Sequence, residues 1–251
     1  QAELRGEGLY DGVFGLWYGK GPGVDRSGDV MRHVNMAGTS AKGGVIMAMG
    51  DDHTGESSTT LHQSEWAMMD AHMPIVSPAG VQEILDYGHY GYELSRFSGL
   101  WVGLKTMKDT VEVTSVVDGN PHRLAFITPT VEMPEDGLNI RLIDTPAEQE
   151  ERLLTYKVAA AEAFSRTNKM DKRLLGQAGA KIGFVAAGKN WLDLIHALSL
   201  LNIDEAEAER RGITAYKVGQ TWPLDQRSLR EWADGLDAVS YTHLTLPTIL
   251  L

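Results

Sequence analysis

Apolar and polar positions along this chain fall into short blocks, and the block lengths predict the elements. Gly12-Val13-Phe14-Gly15-Leu16-Trp17-Tyr18 is aromatic and apolar and predicts a first strand over residues 10–18, with close backbone approach at its glycines. Gly43-Gly44-Val45-Ile46-Met47-Ala48-Met49 is an unbroken apolar run, the pattern of a buried strand. Between them Gly19-Lys20-Gly21-Pro22-Gly23 predicts a turn, and Asp25-Arg26-Ser27-Gly28-Asp29 leads into a short helix ending near Asn35. Downstream, a helix is expected over 65–71, a short strand between Pro74 and Pro78, and a longer helix over 81–97. That longer helix carries Ile84, Leu85, Gly88, Gly91, Tyr92 and Ser95 at helical spacing. Leu100-Trp101-Val102-Gly103-Leu104 predicts a further strand. Strand and helix thus alternate as in a parallel, doubly wound sheet.

The pattern then changes. Pro121, Pro129, Pro134 and Pro146, with scattered acids, mark a surface connection. A charged helix over 147–168 places Leu153, Leu154, Val158, Ala161 and Phe164 on one face. A strand over 181–188, a helix over 191–201, a strand over 213–218 and a helix over 224–236 follow. The expected fold is α/β: two consecutive doubly wound, mainly parallel α/β domains. The first covers residues 1–130 and the second 147–239, with 131–146 as linker. Residues 240–251 continue no helical or strand pattern and resemble the translation of a sequencing adapter. They are expected to be a non-native tail.

Composition narrows the partners. Of 251 residues, 23 are Lys or Arg and 34 are Asp or Glu, a formal net charge of −11, which argues against a nucleic-acid groove or an anionic membrane. With no cysteine, the chain has no disulfide, thiolate zinc site or iron–sulfur ligand of its own. No apolar run reaches the roughly 18 residues of a membrane span, so a cytoplasmic protein is expected.

The densest chemistry follows the second strand: Gly50-Asp51-Asp52-His53-Thr54-Gly55-Glu56-Ser57-Ser58, continuing to His62-Gln63-Ser64-Glu65. Acids, imidazoles and hydroxyls there would sit at the carboxyl end of a strand, where ligands bind in open α/β sheets. A helix-capping loop accounts for Ser57, Ser58 and Thr59 equally well. Asp51 and His53 share one side of an extended chain and Asp52 points away. Two ligands at most do not make a metal site, and none is expected here. Serine, imidazole and carboxylate are all present, but no G-x-S-x-G elbow accompanies them. The run from Gly19 to Gly23 lacks Walker A and GxGxxG spacing, and Gly188-Lys189-Asn190 marks either a tight turn or an anion contact at a helix start.

Several blocks together resemble indolepyruvate ferredoxin oxidoreductase, in its long single-chain bacterial form. They are Leu16-Trp17-Tyr18-Gly19-Lys20-Gly21-Pro22-Gly23, Ala37-Gly38-Thr39-Ser40, Gly50-Asp51-Asp52-His53, His62-Gln63-Ser64-Glu65, Leu94-Ser95-Arg96-Phe97-Ser98-Gly99-Leu100-Trp101 and Tyr216-Lys217-Val218-Gly219. The resemblance implies a thiamine diphosphate enzyme that decarboxylates a 2-oxo acid, passes electrons through 4Fe-4S clusters to ferredoxin and releases an acyl-CoA. It implies a pyrimidine-binding domain followed by a transketolase C-terminal-like domain. Residues 50–65 would face the cofactor cleft. Thr39, Ser40 and His53 would lie nearest substrate, with Asp51, Asp52, Ser57 and Ser58 on the cofactor side.

The chain departs from the family at Thr54, where a glycine is usual; Gly55 follows it. The family's pyrimidine-activating glutamate is expected upstream of Gln1. The Gly-Asp-Gly…Asn motif that holds Mg2+ and diphosphate, and the cluster cysteines, belong to other segments. The resemblance therefore implies a fragment, inactive alone, that works with the remaining domains of the parent chain, 2-oxo acid, CoA and ferredoxin, in a homodimer. The alternative is a non-catalytic α/β binding or regulatory module that reuses the same two domains.

Overall fold

The computed structural model describes residues 5–55 and 60–242. The first half runs β1 (Phe14–Lys20), α1 (Gly21–Arg26), α2 (Gly28–Ala37), β2 (Gly44–Gly50), α3 (Glu65–Asp70), β3 (Ile75–Val76), α4 (Val81–Ser98), β4 (Val102–Thr106) and α5 (Lys108–Val111). After an irregular stretch come α6 (Pro146–Arg152), a π-helical turn (Leu153–Lys157) and α7 (Val158–Thr167). The chain continues through β5 (Lys172–Leu175), β6 (Ile182–Ala187), α8 (Gly188–Leu200), α9 (Glu205–Arg211), β7 (Ile213–Val218), β8 (Gln220–Trp222), α10 (Gln226–Ala233) and β9 (Ala238–Thr242).

Two mainly parallel sheets result. The first has the order β1-β2-β4-β3-β8, with only β8 antiparallel. Successive residues of a strand point to opposite faces. Ile46, Val76 and Val102 therefore pack against Tyr87, Tyr90 and Leu94 of α4 and Phe164 of α7. Met47, Met49 and Ile75 meet Val24, Met31 and Met68 on the other face. Cover on both faces is why β2 reads as an unbroken apolar run. The second sheet has the order β5-β7-β6-β9, with β5 antiparallel. Val185, Tyr216 and Val218 pack against Leu229 and Trp232 of α10, while Ala186 and Ala215 face Trp191 of α8. Both sheets are doubly wound, as the alternation predicts.

Several details differ from the expected pattern. Residues 21–23 open α1 instead of turning; Pro22 fits there because a first helical turn needs no N–H from it. β1 begins at Phe14 and runs to Lys20. β5, α5, α9 and β8 are elements that the apolar pattern does not predict. β9 passes through Ser240, Tyr241 and Thr242, paired with Phe184, Val185 and Ala186 of β6, so strand structure continues past residue 239. That corrects the expectation of no strand there. Residues 243–251 lie outside the described residues.

The helical run 146–167 packs on the first sheet. Thr145 caps α6 by accepting from the Glu148 N–H, and Glu148 reaches back to the Thr145 N–H at 2.7 Å, a reciprocal capping box. Lys157 is fully buried and donates to the carbonyls of Asn35 at 3.1 Å and Met36 at 3.3 Å, satisfying the end of α2. Burial pulls its amine down to about 8.

Gly219 alone separates β7 in the second sheet from β8 in the first. Asp171 holds this crossing by accepting from the Gly219 N–H at 2.8 Å and the Gln220 N–H at 3.0 Å. A Cβ at Gly219 would lie 2.7 Å from the Met170 carbonyl oxygen and 2.8 Å from the Tyr87 hydroxyl, so only glycine fits. Among the described residues, no helix is long and apolar enough to cross a membrane.

Candidate functional site

The parallel strands β1, β2 and β4 end side by side, and their register places Lys20, Gly50 and Thr106 in one row. Asp51 follows directly and donates its N–H to the Thr106 carbonyl at 2.9 Å. Its side chain is 3% exposed and accepts from both the N–H and the hydroxyl of Ser64, each at 2.6 Å. Burial raises the Asp51 carboxyl above its ordinary value, and the Ser64 hydrogen bonds oppose the rise. Asp51 thus ties the start of α3 to the end of β2 and closes the loop between them. Asp52 accepts from the N–H of Lys108 at 2.8 Å, at the first residue of α5. Both carboxylates serve the protein's own backbone.

Fixing Asp51 and Asp52 leaves His53 outward. Its side chain is 57% exposed, with Nδ1 3.6 Å from the Asp109 carboxylate on α5. His62 lies on the other flank. Its ring covers Gly21, where a Cβ would sit 2.1 Å from the imidazole Cγ, and its Nδ1 is 3.7 Å from Asp25. Behind the loop, Glu65 is buried and ion-paired with Lys105 of β4, while Glu65 Oε2 is buried without a hydrogen-bond partner among the described residues. The row thus offers an exposed imidazole–carboxylate pair, a second imidazole and a buried acceptor with one free oxygen.

Thr39 and Ser40 lie elsewhere. They precede β2, at its amino end, so a seven-residue strand of roughly 20 Å separates them from His53. Thr39 is buried and committed: its hydroxyl donates to the Ser95 carbonyl at 2.9 Å, and its N–H donates to Gly99 at 3.0 Å. The Ser40 hydroxyl accepts from the Lys42 N–H at 3.3 Å. Ser57 and Ser58 lie outside the described residues. The sequence pattern does not single out Lys105 or Asp109: Lys105 is the penultimate residue of β4, and Asp109 lies in a four-residue helix without periodicity. Among the described residues, no group of three or more His, Asp or Glu could hold a metal ion.

Comparison with known proteins places this geometry in context. Residues 172–242 match the family described as the indolepyruvate oxidoreductase domain. Indolepyruvate oxidoreductase subunit IorA of Methanothermobacter marburgensis is 22% identical over 238 residues, covering 94% of this chain and 36% of that protein. The same subunit from Pyrococcus abyssi is 25% identical over 206 residues, covering 78% of this chain and 30% of its own length. The chain therefore spans about a third of the relatives it matches. In fold it is similar to a 2-oxoglutarate:ferredoxin oxidoreductase from Magnetococcus marinus, with a TM-score of 0.58, 13% identity, and coverage of 91% of this chain and 45% of that one. It is also similar to a transketolase from Pichia stipitis, with a TM-score of 0.50, 12% identity, and coverage of 90% and 26%.

Proposed function

We propose that this chain, which is similar to indolepyruvate oxidoreductase subunit IorA over most of its length, is part of a thiamine diphosphate-dependent oxidoreductase of 2-oxo acids, with ferredoxin as acceptor and acyl-CoA and CO2 as products. The observation that carries this reading is the match to subunit IorA over 94% of the chain, which takes in both sheets. In the same reading, residues 1–130 act as a pyrimidine-binding domain and 147–239 as a transketolase C-terminal-like domain, within a cytoplasmic homodimer.

The residues at the strand ends fit one wall of a cofactor cleft. Glu65 Oε2 is a buried acceptor without a partner among the described residues, suited to an N–H of a bound ring. Thiamine diphosphate, when bound, supplies the carbanion that attacks a 2-oxo acid carbonyl. The described residues do not fit a magnesium–diphosphate clamp, so Mg2+, the 4Fe-4S clusters and CoA belong in this reading to other segments. Asp51 and Asp52 act as positioning residues that hold the loop. His53, backed by Asp109, moves a proton at its outward imidazole edge; the carboxylate stabilises the charged ring when it forms.

The test is reconstitution. The whole parent protein should reduce ferredoxin when given an aryl or branched 2-oxo acid, CoA, thiamine diphosphate and Mg2+, and the isolated 251-residue chain should not. No ferredoxin reduction by the parent with any 2-oxo acid, or turnover by the isolated chain, would contradict the reading.

A further inference from the structure

A second group of residues lies at the carboxyl ends of both sheets, on the side of the loop after β2 where Asp109, the partner of His53, also acts on Lys189. β3 ends at Val76, and Ser77 follows it; β6 ends at Ala187, and Gly188 opens α8. Ser77 donates its backbone N–H to the Gly219 carbonyl at 2.9 Å, which locks it into the crossing between the sheets. The residue is 6% exposed, yet its hydroxyl has no hydrogen-bond partner among the described residues. The hydroxyl points at the start of α8: a Cβ at Gly188 would lie 2.5 Å from Ser77 Oγ and 3.7 Å from the Pro78 carbonyl oxygen. Gly188 has φ of +53°, so glycine suits both the left-handed backbone and the close approach of the Ser77 hydroxyl, which occupies the place of a side chain there.

Two helices start here. α8 has 13 residues and α4 has 18, and neither first turn carries a side-chain cap. A Cβ at Gly80, the residue before α4, would lie 3.9 Å from Leu192 of α8, so the two starts adjoin. Each presents backbone N–H groups without intrahelical partners and the positive end of a helix dipole. Lys189 adds a full charge. Its Nζ is held at 2.9 and 2.7 Å by Asp193, an exposed partner four residues along the same helix, and Asp109 acts on it electrostatically. Glu83 accepts from the Ala79 N–H at 2.8 Å, which uses one donor ahead of α4 and leaves the start of α8 open.

We propose that Ser77, Gly188 and Lys189 form a binding site for an anionic oxygen group, a phosphoryl or carboxylate, between the starts of α4 and α8. The Ser77 hydroxyl and the first N–H groups of α8 donate to the anion. Lys189 exchanges the Asp193 carboxylate for it, which the exposure of that pair permits. The site does not depend on the oxidoreductase reading, because it uses none of the residues at the end of β2.

The test uses the purified 251-residue chain, titrated separately with inorganic phosphate and with acetate at constant ionic strength. Backbone 15N shifts of Gly80, Gly188 and Lys189 report binding. Saturable shifts are expected in at least one arm: with phosphate for a phosphoryl site, with acetate for a carboxylate site. Lys189→Gln and Ser77→Ala should each weaken that saturation about tenfold, the loss of one charge-assisted contact. Shifts that stay linear in both arms, or an affinity that either variant leaves unchanged, would overturn the proposal.

Discussion

Two buried aspartates hold two crossings in this chain, and their surroundings differ in an instructive way. Asp51 accepts both polar hydrogens of Ser64, sits beside the Glu65–Lys105 ion pair, and closes a loop whose next side chains face outward. Asp171 accepts two backbone N–H groups at Gly219 and Gln220, with the backbone of Asp225 also facing its carboxyl. Around it, the Tyr90 hydroxyl donates to Gln220 at 2.8 Å, Arg166 donates to Asp225 at 2.8 Å, and Lys217 pairs with Glu83. Burial lifts both carboxyls, that of Asp171 from 3.8 to about 7. At the sheet junction the polar groups are consumed in joining β7 to β8. At the end of β2 the same residue type frees its neighbour, His53. Both aspartates are buried, but the one at the end of β2 leaves an exposed imidazole beside it and the one at the sheet junction does not.

The largest expected effect comes from Asp171. A carboxyl raised in the folded state favours its protonated form, so this contribution to stability is complete below pH 3.8 and lost as pH rises through about 7. Asp171→Asn keeps the oxygen that accepts from Gly219 and Gln220 but cannot ionise. Between pH 4 and 7 the parent chain should lose on the order of 4 kcal/mol relative to this variant. Urea midpoints at the two pH values measure it. Parallel pH profiles would break the contrast between the two aspartates.

Truncation sharpens the description of the second sheet. Ending the chain after Val239 removes three residues of β9 paired with β6, and ending it after Thr242 keeps them. The shorter chain should be less stable by about 2 kcal/mol, the order expected for losing ladder hydrogen bonds worth about 1 kcal/mol each. Equal denaturation midpoints would show that those pairs contribute nothing. A similar effect, about 1.5 kcal/mol, is expected from Ser64→Ala, which removes a hydroxyl donor to a buried carboxylate but keeps the backbone donor. Chemical denaturation again measures it, and an unchanged midpoint would remove Asp51 from its closing role.

Legibility in the sequence follows burial. β2 is visible as an apolar run because both of its faces are covered, and β7 lies at the expected 213–218. β8 is hidden because three residues show no period, and its place in the first sheet depends on Asp171, 49 residues before Gln220. α9 is hidden because Ala208 is its one buried residue, so its charged sequence shows no apolar stripe. At the site, His53 is visible among its acids, but Asp109 reaches it only through the alignment of β2 with β4. Thr39 and Ser40 look close to His53 along the chain; β2 runs between them and carries them to opposite ends of the sheet.

The central claim is that the loop after β2 serves chemistry and not packing, and His53→Ala in the whole parent protein tests it most directly. Turnover per folded molecule and the denaturation midpoint should be measured on the same preparation. Turnover is expected to fall by about tenfold, some 1.4 kcal/mol of transition-state stabilisation. Folding stability should change by less than about 1 kcal/mol, because a side chain that is 57% exposed leaves no cavity behind. Unchanged turnover with a lowered midpoint would contradict the claim and return the loop to a purely structural role.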